Sequence, residues 1–332
     1  MPDVAIVGAG VTGLSLAYFL QRAGAEVVVH DRAGIAAGAS GVQPGGVRQQ
    51  WSTEVNCLLA RESVEFYAGF DSGARLDRCG YLFVALGEES LGRMRADVAL
   101  QNGLGIPSRI VDADEIAELV PGMRVDSVLG GAWCGEDGYF DKPQTVVEAF
   151  ARGVRVVIEE VANVDELDAA TVVVAAGADS GLGLPIAAEP RHLFLSEPIA
   201  ERLVEPLVVV GERSFAAKHL ANGRVLAGDL AGDSRATVAR GVEEFLPALS
   251  YVPFPILASG IYDLTPDHQP IVGPVREGLW VAAGYSGHGF MLAPAISRRL
   301  ADAIVASGGA PIPEFDPARF DAGGLAAERA VI

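Results

Sequence analysis

The chain has 332 residues, with 43 acidic against 25 basic side chains and a formal charge of −18 at neutral pH. Only two cations are lysines, Lys142 and Lys218, and the arginines form no basic stripe, so phosphate backbones and anionic lipid surfaces are excluded as partners. Half of the residues are hydrophobic, enough for a large core in two domains, while the longest apolar run, residues 169–178, is about half of what a membrane-spanning helix needs.

The amino terminus runs straight into Val4-Ala5-Ile6-Val7 without the basic start of a secretory leader, which points to a cytoplasmic protein. Such a continuous apolar run suits a strand covered on both faces. A glycine turn, a helix over 12–23 stopped by Gly24, and a second strand at 26–29 follow, in the order of a parallel βαβ unit. Apolar spacing predicts a long helix over 53–70. A strand is expected at 80–86, an amphipathic helix at 88–101, and a short helix at 112–120 opened by Asp112 with Glu115 three residues on. Residues 145–151 read as helix, 171–175 as a buried strand, and 186–255 as strand-rich with proline punctuation. The carboxyl-terminal part supplies a strand at 279–283, a glycine-rich turn, and a helix with Pro294 in its first turn running to about residue 306.

The fold class is therefore α/β. A Rossmann-like, parallel-sheet cofactor domain is expected from residues 1–75, 140–185 and 256–332, and a discontinuous antiparallel-sheet substrate domain from 76–139 and 186–255. Cys57, Cys79 and Cys134 lack paired spacing, so neither a disulfide framework nor a metal site is expected, and the thiols read as buried.

Gly8-Ala9-Gly10-Val11-Thr12-Gly13 is GxGxxG between the first strand and helix, with Asp31 eighteen residues beyond it. The first glycine permits a tight turn, the second lets backbone approach a pyrophosphate at the positive helix end, and the third allows close helix–strand packing. Asp31 is placed to accept from ribose hydroxyls. The turn alone leaves NAD and FAD open.

Three later segments resemble the glycine oxidase, sarcosine oxidase and D-amino-acid oxidase family of flavoproteins. Residues 38–51, GASGVQPGGVRQQW, are similar to the loop that follows the ribityl chain to the isoalloxazine ring. Residues 172–178, VVVAAGA, resemble the strand-end turn against the cofactor. Residues 260–273, GIYDLTPDHQPIVG, followed by 284–294, GYSGHGFMLAP, resemble the family's paired carboxyl-terminal motifs.

The resemblance implies FAD, contacted at Gly8, Gly10, Thr12, Gly13, Asp31, Arg32, Ser40, Gly45, Gly46, Val47, Val161, Ala176, Gly177, Gly260, Gly287, His288, Gly289, Phe290 and Met291. It further implies oxidation of an amine or N-substituted amino acid by hydride transfer to flavin N5, with electrons passed to oxygen or another acceptor. Arg48 is the leading carboxylate clamp, with a structural ion pair as its other reading. Tyr262 either binds substrate or packs in the core, and His288 reads as a positioning donor. Lys218 either lies near N5 or is a surface residue.

Departures from the family are equally specific. Gly260 replaces a cysteine that attaches flavin covalently in some relatives, so the FAD is expected to be non-covalent. Met291 replaces a carboxylate-binding lysine, and Ala258-Ser259 stands where an arginine is common. Residues 153–170 are short for the family, which suggests weaker FAD retention. A flavin-binding subunit or accessory protein with a degraded substrate site is thus the alternative function, and homo- or hetero-oligomerisation stays open.

Overall fold

The computed structural model describes residues 2–322 and 325–330. Residues 1, 323–324 and 331–332, all inside the expected cofactor domain, lie outside the described residues. Two sheets divide the molecule. The six-stranded sheet has the order Ile271–Arg276, Leu279–Ala283, Thr171–Val174, Val4–Val7, Val27–Asp31, Arg155–Ile158. It is parallel except for the antiparallel edge strand Ile271–Arg276. Ala5 and Ile6, at its centre, are buried. That double covering explains the uninterrupted apolar run.

The eight-stranded sheet has the order Ile256–Leu264, Ala187–Leu195, Val225–Asp229, Phe215–His219, Leu207–Val210, Tyr81–Ala85, Gly130–Cys134, Arg109–Val111. All neighbours are antiparallel except Leu207–Val210 beside Tyr81–Ala85, where its two chain segments meet in parallel. The expected boundary at 256 differs from this sheet membership. Ile256–Leu264 pairs along its length with Ala187–Leu195 and extends the eight-stranded sheet, a long-range pairing that alternation cannot reveal. A small third sheet has the order Gly46–Val47, Gly138–Phe140, Leu76–Asp77.

Helix Val11–Arg22 packs on helix Gly289–Val305, and Ser15 and Ser297 share a buried hydroxyl contact of 2.7 Å across that seam. Helix Glu54–Gly69 packs on the same partner. The expected cap of helix Ala113–Leu119 is present, with Asp112 accepting from the Glu115 N–H at 2.9 Å.

The last long helix departs from expectation. It begins at Gly289 and contains Pro294 in its interior. Proline cannot donate to the carbonyl four residues back, that of Phe290. The Tyr67 hydroxyl donates to that oxygen instead, at 2.7 Å and fully buried, so the helix continues through the proline. No helix among the described residues is long and apolar enough to cross a membrane.

Candidate functional site

Two helix amino termini converge on one side of the six-stranded sheet. At the first, a Cβ on Gly8 would lie 2.3 Å from the Ala175 carbonyl oxygen, and one on Gly13 would lie 2.0 Å from the Gly8 oxygen. Only glycine fits these positions, and Gly8 also holds φ of +115°. Asp31 accepts from the N–H groups of Ala9 at 2.8 Å, Ala33 at 2.8 Å and Gly34 at 2.9 Å, which ties the second strand's end to the glycine turn. A carboxylate offers about four lone-pair sites, so one remains for a further donor. Ser40 Oγ accepts the Val11 N–H at 2.9 Å, bringing the 38–51 loop onto the same helix end. Apart from Ser40, this helix end has no side-chain cap, Gly10 supplying none, and its first turn carries no acid, a setting that favours an anion.

The second terminus is the turn 284–289. Gly284, Ser286 and Gly287 hold φ of +68°, +51° and +85°. A Cβ on Gly287 would lie 2.3 Å from the Tyr262 ring, so the phenol lies flat on the turn only because that residue is glycine. Asp263 supports it from the other side, accepting the Gly284 N–H at 2.8 Å. His288 is 2% exposed and meets the Trp51 ring edge-on at 4.6 Å. Burial first, then the neighbouring Arg48 charge, pull its pKa well below the usual imidazole range. It is a neutral residue whose Nε2 has no protein partner among the described residues. Here too the helix lacks first-turn acids and a side-chain cap.

These features fit FAD. The Gly8–Gly13 turn would offer a close backbone cradle to a pyrophosphate, and the positive end of helix Gly289–Val305, beside the unpartnered His288 Nε2, would favour a ring that gains negative charge. Of the remaining expected contacts, Gly45, Gly46 and Val47 form the loop and strand beside Tyr81. Gly46 tolerates no Cβ there, because Tyr81 Oη would be 1.8 Å away. Ala176 and Gly177 follow the strand Thr171–Val174, and Arg32 forms an exposed ion pair with Asp179 at 2.6 Å beside them. Val161 lies beyond strand Arg155–Ile158, just past Glu159, whose N–H donates to the Asp31 carbonyl at 3.0 Å. Gly260 packs toward Val42 on the edge strand Ile256–Leu264.

Between the turn and the eight-stranded sheet lies a cleft. Its floor is Gly46, Gly287, His288, Phe290 and Met291, and its roof includes Arg191, Lys218, Leu226 and Tyr262. Tyr262 makes no hydroxyl hydrogen bond among the described residues. Arg191 passes 5.3 Å from the Tyr262 ring centroid and pairs with Glu189 at 3.0 Å, while its buried Nε has no partner. A larger cavity of about 350 Å³, lined by Phe83, Met94, Asp97 and Arg329, holds none of the expected cofactor contacts.

Arg48 does not line this cleft. It is 0% exposed, its guanidinium donates to the carbonyls of Gln50 and Ala330, and it stacks 3.8 Å from the Trp51 ring centroid. Two of its nitrogens thus donate to backbone while its buried Nε has no partner, and among the described residues it makes no ion pair, so the fold holds it through backbone carbonyls and ring stacking rather than by the ion pair expected as its structural reading. Lys218 is not a surface residue but 2% exposed. Cys79 is half-buried rather than buried, unlike Cys57 and Cys134. Sequence reasoning missed Arg191, whose one signal was a cation in a strand that turns apolar at Leu193. It also missed Glu328, which accepts from Ser52, Thr53 and Asn56 and fastens the carboxyl-terminal segment to the start of helix Glu54–Gly69. Among the described residues, no cluster of three or more His, Cys, Asp or Glu could hold a metal ion.

Comparison with known proteins gives a consistent result. The family model described as FAD dependent oxidoreductase (DAO) matches residues 3–303. FAD-dependent oxidoreductase domain-containing protein 1 of Xenopus laevis is 25% identical, over 92% of this chain and 79% of its own length. Sarcosine oxidase subunit beta of Rhodobacter capsulatus is also 25% identical, over 97% of this chain and 89% of that protein. The crystal structure of L-proline dehydrogenase from P. horikoshii superimposes with a TM-score of 0.89 at 25% identity, covering 97% of this chain and 98% of that one.

Proposed function

The chain belongs to the DAO family of FAD-dependent oxidoreductases, and from that premise we propose that it oxidises a secondary (N-substituted) amino acid at the carbon bearing nitrogen. Bound FAD supplies the hydride acceptor. The observation that carries the substrate class is Arg191 in the cleft roof, its Nε buried and unpartnered, above the phenol of Tyr262 and opposite the 284–289 turn. A guanidinium there suits a carboxylate, with Tyr262 as a second donor. This arrangement takes over from the family lysine and arginine that the sequence replaces with Met291 and Ala258-Ser259. Sarcosine and L-proline, named for the two relatives above, are both secondary amino acids, which supports the choice.

His288, neutral and wedged against Trp51, holds the floor and donates or accepts at Nε2 without carrying charge into the site. Lys218 places the cleft's other cation opposite it. The test is anaerobic mixing of flavin-loaded protein with proline, N-methylglycine and their uncharged amide analogues. Loss of oxidised-flavin absorbance with the acids and not the amides is expected, and Arg191→Ala should raise KM for the acids at least tenfold. Absence of reduction by every amine tried would instead favour a flavin-binding subunit.

A further inference from the structure

Cys79 lies in the loop between strands Leu76–Asp77 and Tyr81–Ala85, and Lys218 lies on strand Phe215–His219. Folding brings their side chains together. Lys218 Nζ donates to Cys79 Sγ at 2.8 Å and sits 3.6 Å from the Tyr139 ring centroid, a position with little solvent. Cys79 is half-buried, so a small oxidant reaches it more readily than the buried thiols of Cys57 and Cys134. Burial raises the Cys79 thiol and lowers the Lys218 ammonium, each opposed by the other's charge; the acids that bear on the pair are Asp77 and Glu205. An amine held against sulfur becomes, once it has given up its proton, a nucleophile aimed at an oxidisable atom.

We propose that Cys79 and Lys218 form a modification site in which a hydroperoxide joins them through a sulfenamide, a covalent Sγ–Nζ bond. The thiol sulfur gives two electrons to the peroxide O–O bond, forming a sulfenic acid and releasing one water when hydrogen peroxide is the oxidant. The Lys218 lone pair then attacks sulfur, the S–O bond breaks, and the departing hydroxide takes a proton from nitrogen as the second water. Overall, thiol plus amine plus hydrogen peroxide gives sulfenamide plus two waters. The bond locks the loop at Cys79 to the sheet and removes a positive charge from the cleft that Lys218 lines. Thiols reverse it. The inference does not rest on the proposed substrate, because the oxidant can be added from outside.

The flavin-loaded 332-residue chain is treated with hydrogen peroxide and digested without reductant, and the peptides are weighed. The expected product is the Cys79 peptide linked to the Lys218 peptide with loss of two hydrogens, about 2 Da, and restored by dithiothreitol. Cys79→Ser and Lys218→Arg should each abolish the linked species. Recovery of Cys79 as free thiol or sulfinic acid, with Lys218 unmodified, would overturn the proposal. So would a linked pair heavier by one oxygen, which marks an N–O–S bridge in place of the S–N bond.

Discussion

Helix Gly289–Val305 survives an internal proline because of one phenol, and this dependence has a measurable size. Tyr67→Phe removes the donor to the Phe290 carbonyl while keeping the ring, which stacks on Phe290 with centroids 5.3 Å apart. A buried carbonyl left without a donor costs about 1–3 kcal/mol, and Pro294 cannot supply the missing N–H. In a Pro294→Ala background that N–H is restored, and the same tyrosine change should cost only about 0.5–1.5 kcal/mol, the net worth of an ordinary hydrogen bond. The double-mutant cycle therefore has an expected coupling of about 1 kcal/mol. Urea unfolding of the four proteins at matched flavin saturation measures it, with unchanged m-values required for the comparison. Equal costs of Tyr67→Phe in the two backgrounds would refute the reasoning, since the phenol would then be independent of the proline.

Three further outcomes follow from the site. Gly13→Ala should leave the protein largely colourless on purification, because its Cβ would meet the Gly8 oxygen at 2.0 Å; stoichiometric flavin in the variant would contradict the cradle. Arg48→Ala should lower stability to urea by about 1–3 kcal/mol for each backbone carbonyl left without its donor, and retain less flavin rather than selectively raise KM, since it strips two such carbonyls and leaves Trp51 unstacked. At Glu328, burial pushes the carboxyl up, but the donors from Ser52, Thr53, Ala330 and Asn56 outweigh it and leave the folded pKa below the ordinary value. Its stabilisation is thus complete above the unfolded pKa and lost as pH falls through the folded one. As pH falls below the ordinary carboxylate range, wild type should lose stability more steeply than Glu328→Gln, and parallel pH profiles would show that the carboxylate is not held in this way.

The glycine turn was readable because sterics leave so little choice: contacts of 2.0 and 2.3 Å at Gly13 and Gly8 admit no side chain. Strands covered on both faces were equally plain from their unbroken apolar runs. Features set by distant partners were not. The edge strand Ile256–Leu264 is claimed by Ala187–Leu195, some seventy residues away, and nothing local to it says so. Pro294 reads as a helix start until Tyr67, more than two hundred residues earlier in the chain, is seen to satisfy Phe290. Arg48 has the right loop for a clamp, but it lies outside the cleft, with two of its nitrogens held by the carbonyls of Gln50 and of Ala330, some 280 residues further along the chain.

The six-stranded sheet also carries a consequence for synthesis. Strand Val4–Val7 lies between Val27–Asp31 and Thr171–Val174, so one of its edges is completed by residues made some 165 positions later. At about 5–20 residues per second, that edge stays open for roughly 10–30 seconds on the ribosome. An apolar strand with unpaired backbone is a template for intermolecular pairing throughout that interval. Slower elongation before residue 171 should therefore lower soluble yield, and early chaperone occupancy of nascent chains should end once Thr171–Val174 has emerged.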